Sequence, residues 1–408
     1  MATRRRPSAD GQQALGEETI DTQNFFTSRK AAAVLKHEIL KGYVPPFVGK
    51  TGKFSPGNRV VIIDGFAGTG RYEDGSAGSP AIFIEAAQST PGRNLECYFV
   101  EKDPANYQRL RAMLEAEGDA ITWEAWQGTA GAHVDEVLTR AAGLPLFMFL
   151  DPFGIGPDFT QVQDIFRRRP SGRARSPATE MLFRVDADAL RRPLGVHRSD
   201  TVFPARDALL RSVDTLGGGT WWRDDDDGER SGEPYLEWFF QRYVARLSDA
   251  VGCHGWYTDV KQKPPHQPAY YLVFLTRHMD GVEVFGETLS LALAKWRRTV
   301  FDEAVAAESA SGQLSLLDPD EQFHHDERCL EDGWHDTIER NVRDLLRRRG
   351  HFVVRDEIGE VFGDTIGRAR EKHLRVALKQ LAKDGTTSSN GVGNLYPKHV
   401  IRAADAQL

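Results

Sequence analysis

The stretch Val60-Val61-Ile62-Ile63-Asp64-Gly65-Phe66-Ala67-Gly68-Thr69-Gly70 limits the fold more than any other part of the chain. Four apolar β-branched residues in a row read as a strand buried on both faces, the mark of a parallel sheet. The strand ends on an acid and breaks into a glycine-rich turn. Backbone can approach a ligand closely there, because glycine has no Cβ and tolerates positive φ. In a doubly wound sheet, adenosine cofactors sit at the carboxyl end of the first strand. Dinucleotide sites use G-x-G-x-x-G to lay pyrophosphate on a helix N-terminus. Here the spacing is G-x-x-G-x-G, and Asp64 would repel a pyrophosphate. An acid suits the cationic amino-acid end of S-adenosylmethionine (SAM). A dinucleotide, or a glycine turn with no ligand, are the alternatives. On the SAM reading, Asp64, Gly65, Phe66, Gly68 and Gly70 are the cofactor-loop candidates.

The rest of the chain extends this pattern. Strands are expected at Glu96 to Glu101, Ile121 to Trp126, Leu146 to Leu150 and Met181 to Val185, with Gly255 to Val260 and Tyr270 to Thr276 closing the sheet. Helical spacing is expected from Phe25 to Tyr43, stopped by Pro45 and Pro46, and at Pro104 to Ala116, His133 to Arg140, Thr201 to Leu216, Pro234 to Leu247 and Val282 to Phe301. This alternation predicts an α/β, doubly wound, Rossmann-type sheet over 23–303. A length of 408 residues makes room for a second domain. Residues 304–329 are polar and read as a linker. From 330 to 408 the order is helix, short extended piece, helix, helix, then a two-stranded wing from Gly391 to Ile401, which resembles a winged helix-turn-helix. Its third helix carries Arg370, Lys372, His373, Arg375, Lys379 and Lys383, fit for DNA or RNA or else a solvated face of a protein-docking module.

Composition excludes several classes. The net charge of −7 leaves any nucleic-acid surface to a local patch. Cys97, Cys253 and Cys329 lie far apart, without disulfide or zinc spacing, which fits the cytoplasm. His324, His325, Cys329 and His335 lack the paired C-x-x-C of a zinc site. No apolar run is long enough for a bilayer. Residues 1–22 read as a flexible tail; Arg4, Arg5 and Arg6 are not followed by the apolar stretch of a secretory signal. The acidic run Asp224 to Asp227 reads as a solvated loop rather than a cation site.

Two further strand ends carry chemistry. Glu101 ends the second strand, where an acid accepts hydrogen bonds from ribose hydroxyls; a surface pair with Lys102 is the alternative. The fourth strand ends in Asp151-Pro152-Phe153-Gly154. A carboxylate and a proline-fixed carbonyl can hold an exocyclic amine with its lone pair in line with a sulfonium methyl, while Phe153 stacks on the base. This resembles the Asp-Pro-Pro-Tyr/Phe element of amino-methyltransferases with one proline missing; a plain strand-to-loop turn is the alternative. Gln127 is a weaker adenine-side candidate. In the Arg71 to Pro80 loop, Arg71, Tyr72, Ser76 and Ser79 are candidates for the methionine carboxylate or the substrate, or merely pack there.

Leu35-Lys36-His37-Glu38-Ile39-Leu40, the block from Asp64 to Pro80, Phe99 to Asp103, Leu150 to Gly154 and Tyr270 to Phe274 together resemble the three-Cys-motif partner protein (TcmP) family. The resemblance covers the first three-quarters of the chain. It implies a Rossmann-type, SAM-dependent methyltransferase-like fold and a partner protein, similar to radical-SAM enzymes, that carries the three cysteines. The expected activity is methyl transfer to an amine of nucleic acid or a nucleic-acid-associated substrate. A non-catalytic SAM-binding scaffold and a winged-helix DNA-binding regulator are the rival expectations.

Overall fold

The computed structural model describes residues 22–152, 154–169, 176–199, 203–311, 318–396 and 399–404. Seven strands form one sheet: β1 (Arg59–Asp64), β2 (Asn94–Glu101), β3 (Thr122–Gln127), β4 (Leu146–Leu150), β5 (Thr179–Asp186), β6 (His254–Lys261) and β7 (Pro268–Thr276). Their order is β3-β2-β1-β4-β5-β7-β6. The first five run parallel; β7 is antiparallel to β5 and β6. The chain winds outward from β1 through β2 and β3, then returns to β4 on the other side of β1. Strand order therefore reverses between β1 and β4, the place where open α/β sheets bind ligands.

Alternation along β1 feeds two cores. Val61 and Ile63 join the core under helices Phe159–Arg167 and Gly232–Val251. Val60 and Ile62 join the core under helices Thr22–Gly52, Ser79–Ser89 and Met279–Ala310. The mostly parallel α/β architecture and all seven strands agree with the sequence expectation.

Several helical expectations need correction. Pro45 and Pro46 do not end the first helix, which runs to Gly52. Val44, Phe47 and Val48 are fully or almost fully buried, and this packing offsets the backbone hydrogen bonds that the prolines remove. The helix Ser79–Ser89 is absent from the sequence expectation, because eight of its eleven residues are buried and its polar face is confined to Glu85, Gln88 and Ser89 in its second half. The stretch read as a linker is helical on both sides of 312–317: one helix continues to Ala310 and the next begins at Pro319.

The C-terminal unit has its own core of Trp334, Ile338, Val342, Phe352, Leu374, Leu378 and Ile401. It contains helices Pro319–Arg349, Ile358–Phe362 and Glu371–Lys383 and a two-stranded sheet of β8 (His351–Val353) and β9 (Val400–Arg402). The expected wing differs: β9 pairs with β8, and among the described residues Gly391–Tyr396 forms no strand. The unit docks on the Met279–Ala310 helix. Arg355 pairs with Asp280 and Glu283, and the Glu371 N–H donates to Glu287 at 2.6 Å. Among the described residues no His/Cys/Asp/Glu group could hold a metal. Within them, no helix is long and apolar enough to cross a membrane.

Candidate active site

Asp64 ends β1 with its side chain wholly buried. Its Oδ1 accepts the Phe66 N–H at 3.1 Å, while the buried Oδ2 accepts nothing. Burial pushes this carboxyl up to about 7, against the Ser79 hydroxyl and the Phe66 N–H, which favour the anion. The turn beyond it needs its glycines. A Cβ on Gly65 would lie 2.6 Å from Leu150 Cδ2 and 2.9 Å from Ala130 Cβ. Gly68 has φ of +61° and faces open space. Gly70, also at positive φ, turns away and packs on Met113. The Phe66 ring is 40 % exposed beside the turn.

Glu101 lies across from this turn. Its Oε2 accepts the Gly68 N–H at 2.8 Å and its Oε1 accepts the Asp103 N–H at 2.7 Å. One carboxylate thus ties the β1 turn to the loop after β2. A carboxylate has about four acceptor positions, so Glu101 keeps capacity for ribose hydroxyls. Between these loops and those after β3 and β4 opens a cleft of about 1010 Å³. Gly65, Phe66, Gly68, Glu101 and Pro152 line it; Asp64, Gly70 and Asp151 do not. Gly128 and Thr129 line its β3 side in place of Gln127. Five carboxylates (Glu101, Asp103, Asp135, Asp158 and Asp164) face two bases (Lys102 and Arg168) along its wall. Asp103 also caps the Pro104–Glu117 helix, accepting from Ala105 and Asn106. That helix N-terminus is therefore already satisfied and presents no pyrophosphate site.

Asp151 sits at the end of β4, next to Asp64 across the switch point. Its Oδ2 is hydrogen-bonded to Lys36 Nζ. Its Oδ1 is buried, accepts no hydrogen bond, and lies 3.8 Å from an Arg184 nitrogen. Burial pulls the Lys36 ammonium down, but Asp151 outweighs this and holds it above the usual lysine range. Burial and the neighbouring Lys36 push the His37 imidazolium down to about 3, so His37 is neutral at ordinary pH. Tyr72 Oη lies 3.3 Å from His37 Nε2, and the Arg184 guanidinium stacks on Tyr270 at 4.4 Å. Phe153 lies outside the described residues.

Lys36, His37, Arg184 and Tyr270 had no assigned chemistry at the sequence level. The available signal was a Lys-His pair set between the buried apolar positions Leu35 and Ile39 of one helix. Other expectations are spoken for elsewhere. Arg71 pairs with Glu117 at 2.6 Å and Ser76 bonds Asp74, so neither faces the cleft. The acidic run is exposed at Asp224, Asp225 and Asp227, as expected of a solvated loop, but its acids are paired: Asp225 with Arg242 at 2.9 Å, Asp227 with Arg230 at 2.6 Å, and the enclosed Asp226 side chain with Arg198. Asp224 instead accepts from the Thr220 hydroxyl at 2.8 Å, and sequence separation hid the arginines of Asp225 and Asp226.

No family model and no curated protein matches the chain. Among solved structures it is similar to the small RNA methyltransferase HEN1, at 11% identity and a TM-score of 0.30, over 66% of this chain. This chain spans 27% of that one. A putative O-methyltransferase from Klebsiella pneumoniae matches at 12% identity and TM-score 0.30, over 65% of this chain and 92% of its own. Cofactor-bound Rv0187 from MTB matches at 14% identity and TM-score 0.29, over 64% and 93%. Likeness this distant assigns no activity, which has to come from the site.

Proposed function

We propose that the protein binds SAM in the switch-point cleft and is a methyltransferase-like enzyme. The observation that carries this reading is the buried, unpartnered Oδ2 of Asp64 beneath a glycine turn whose far side is tied to Glu101. A buried acceptor without a donor costs about 1–3 kcal/mol, and a cationic ligand at the turn offsets that cost. The acidic wall of the cleft supports a cation over a pyrophosphate. SAM would supply an electrophilic methyl on a sulfonium. Gly65 and Gly68 admit the ligand to the backbone, Asp64 balances its charge, Glu101 accepts from the ribose, and Asp151 and Pro152 orient the acceptor amine. The resemblance to the TcmP family supports a three-Cys-motif partner, and the helix order of the C-terminal unit supports a winged helix contacting nucleic acid or protein.

One observation favours the scaffold reading. Asp151 is already ion-paired with Lys36, so it is not a free acceptor pair of the kind found in the amino-methyltransferase element. Calorimetry of the full chain with SAM and S-adenosylhomocysteine tests the proposal, with dissociation constants in the micromolar range expected. Absence of binding to both by a folded sample refutes it. Binding followed by no transfer from methyl-labelled SAM to DNA, RNA or the partner favours the scaffold.

A further inference from the structure

The inference concerns the cluster behind the cleft and rests on the SAM reading above. Asp64 and Asp151 end the adjacent strands β1 and β4, and each has one oxygen bonded and one buried oxygen without a donor. Buried acceptors are nearly always satisfied, so two such oxygens at neighbouring strand ends mark places that ligand groups complete. Asp64 serves the cofactor. Asp151 is left for the second substrate.

The groups around Asp151 define what that substrate is. Lys36 and Arg184 supply two positive charges; Asp151 and Asp186 supply two negative ones. Lys36 pairs with Asp151, and Arg184 pairs with Asp186 at 2.8 Å. Asp186 also caps the helix Ala187–His197, accepting from the Ala189 N–H. His37 is neutral, and burial keeps the Tyr270 hydroxyl protonated at ordinary pH. The cluster's formal charges balance before any substrate arrives. An alkylammonium brought against it would add a positive charge beside Lys36 and Arg184, whose carboxylate partners are already paired, and like charges juxtaposed at a buried site are strongly disfavoured. A phosphate would lose its water beside Asp151 and Asp186. An uncharged N–H group would cost neither.

Lys36 matters to this selectivity. Its ammonium occupies Oδ2, so Asp151 has one oxygen, Oδ1, to offer. The side chains of Lys36 and Asp151 are only 13 % and 14 % exposed, so the pair is held by its surroundings rather than by chance surface contact. The Phe66 ring, 40 % exposed on the cleft wall, and the Tyr72 ring, 46 % exposed beside His37, offer flat apolar faces.

We propose that Lys36 is a positioning residue that fixes Asp151 so that Oδ1 alone receives one N–H of an uncharged, planar amine of the nucleobase type. During transfer the nitrogen lone pair forms the new N–C bond. The electron pair of the broken S–C bond goes to sulfur, leaving S-adenosylhomocysteine, and the surplus proton leaves the nitrogen along the hydrogen bond to Oδ1 and passes to solvent. Lysine side chains are refused.

The test uses the full chain, methyl-labelled SAM, single-stranded DNA and RNA oligonucleotides containing adenine and cytosine, and a lysine-containing peptide. Wild-type protein is expected to label an oligonucleotide and not the peptide. Lys36→Met is expected to keep SAM affinity within about three-fold while kcat falls about 100-fold with little change in KM. Lys36→Arg, which retains the charge, is expected to recover at least about a tenth of the wild-type rate. Labelling of the peptide, no labelling of any oligonucleotide by SAM-binding protein, or a kcat unchanged in Lys36→Met each overturns the inference. So does loss of SAM binding or of the thermal transition in both variants, which would make Lys36 a structural residue. Failure of the wild type to bind SAM refutes the cofactor reading itself and is told apart by calorimetry before any transfer is measured.

Discussion

The turn after β1 and the helix Glu371–Lys383 both carry charge in a place where a ligand is expected, and they treat it in opposite ways. At the turn, Asp64 Oδ2 and Asp151 Oδ1 are buried with no hydrogen-bond donor. On the helix, the charge that made it resemble a nucleic-acid reader is largely used up inside the protein. Lys372 pairs with Glu331 at 2.5 Å, and His373 is buried, with burial pushing its imidazolium down to about 4. Arg375 clamps the loop through the carbonyls of Gly391 and Gly393 at 2.6 and 2.7 Å. Lys379 and Lys383 remain exposed. A count of charged residues treats the two regions alike. The location of their partners separates a site that still needs a ligand from a fold that has completed itself.

The largest effect that can sharpen this contrast is expected at Asp151. Asp151→Ala should lower methyl transfer by about 100-fold or more, because the acceptor loses the group that aligns it. SAM affinity should stay within about a few-fold if Asp151 serves the acceptor and Asp64 the cofactor. Rates with methyl-labelled SAM and calorimetry on the same sample check both halves. If SAM affinity collapses with the rate, Asp151 belongs to the cofactor site or to folding, and the division between the two carboxylates fails.

The sequence carried the sheet because its signals are local. Val60 to Ile63 and Leu146 to Leu150 are buried runs that read the same in isolation as in the fold. The residues of the cleft rim were legible for the same reason: Gly65, Phe66, Gly68 and Glu101 sit at strand ends, and strand ends in such sheets converge. What escaped is everything that depends on a distant partner. Lys36 lies 115 residues from Asp151, and no spacing rule links them. Asp226 is neutralised by Arg198, 28 residues away, and Asp225 by Arg242 on another helix. Pro45 and Pro46 misled for the opposite reason: a strong local signal was overridden by burial of Phe47 and Val48 against the sheet.

Asp64 gives a smaller effect with a definite sign. Its carboxyl is raised to about 7 in the folded protein, well above the ordinary aspartate value. The native state therefore holds this proton more tightly than the unfolded chain does. The resulting stability is fully present below the unfolded pKa and is lost as pH rises toward about 7. A cationic ligand favours the anion, so SAM should bind with release of a proton below that pH. Its affinity should fall by up to about tenfold per pH unit on the acid side and level off above. Asp64→Asn removes both dependences. At pH 8 the ligand-free variant should be more stable than the wild type by roughly 1–3 kcal/mol, yet bind SAM more weakly. Thermal melts and calorimetry from pH 5 to 8 compare the two. A variant that loses stability and keeps affinity would mean that the buried oxygen is not waiting for a cation.

The smallest effect is expected on the helix. If the helix's other basic residues are committed to partners within the protein, replacing two exposed lysines, Lys379→Ala and Lys383→Ala together, should change binding of duplex DNA by the full chain no more than about three-fold at low salt. The salt slope should change by less than about one unit, because few phosphates are neutralised. Arg375 should be different in kind. Arg375→Ala frees the carbonyls of Gly391 and Gly393 and should lower stability by about 1–2 kcal/mol whatever nucleic acid is present. Should the double lysine variant instead abolish a steep, salt-dependent duplex affinity, two exposed ammoniums would be enough to make a phosphate-binding face. Internal pairing of Lys372 and Arg375 would then be the scaffold that presents those ammoniums, and the contrast between the two regions would be one of degree.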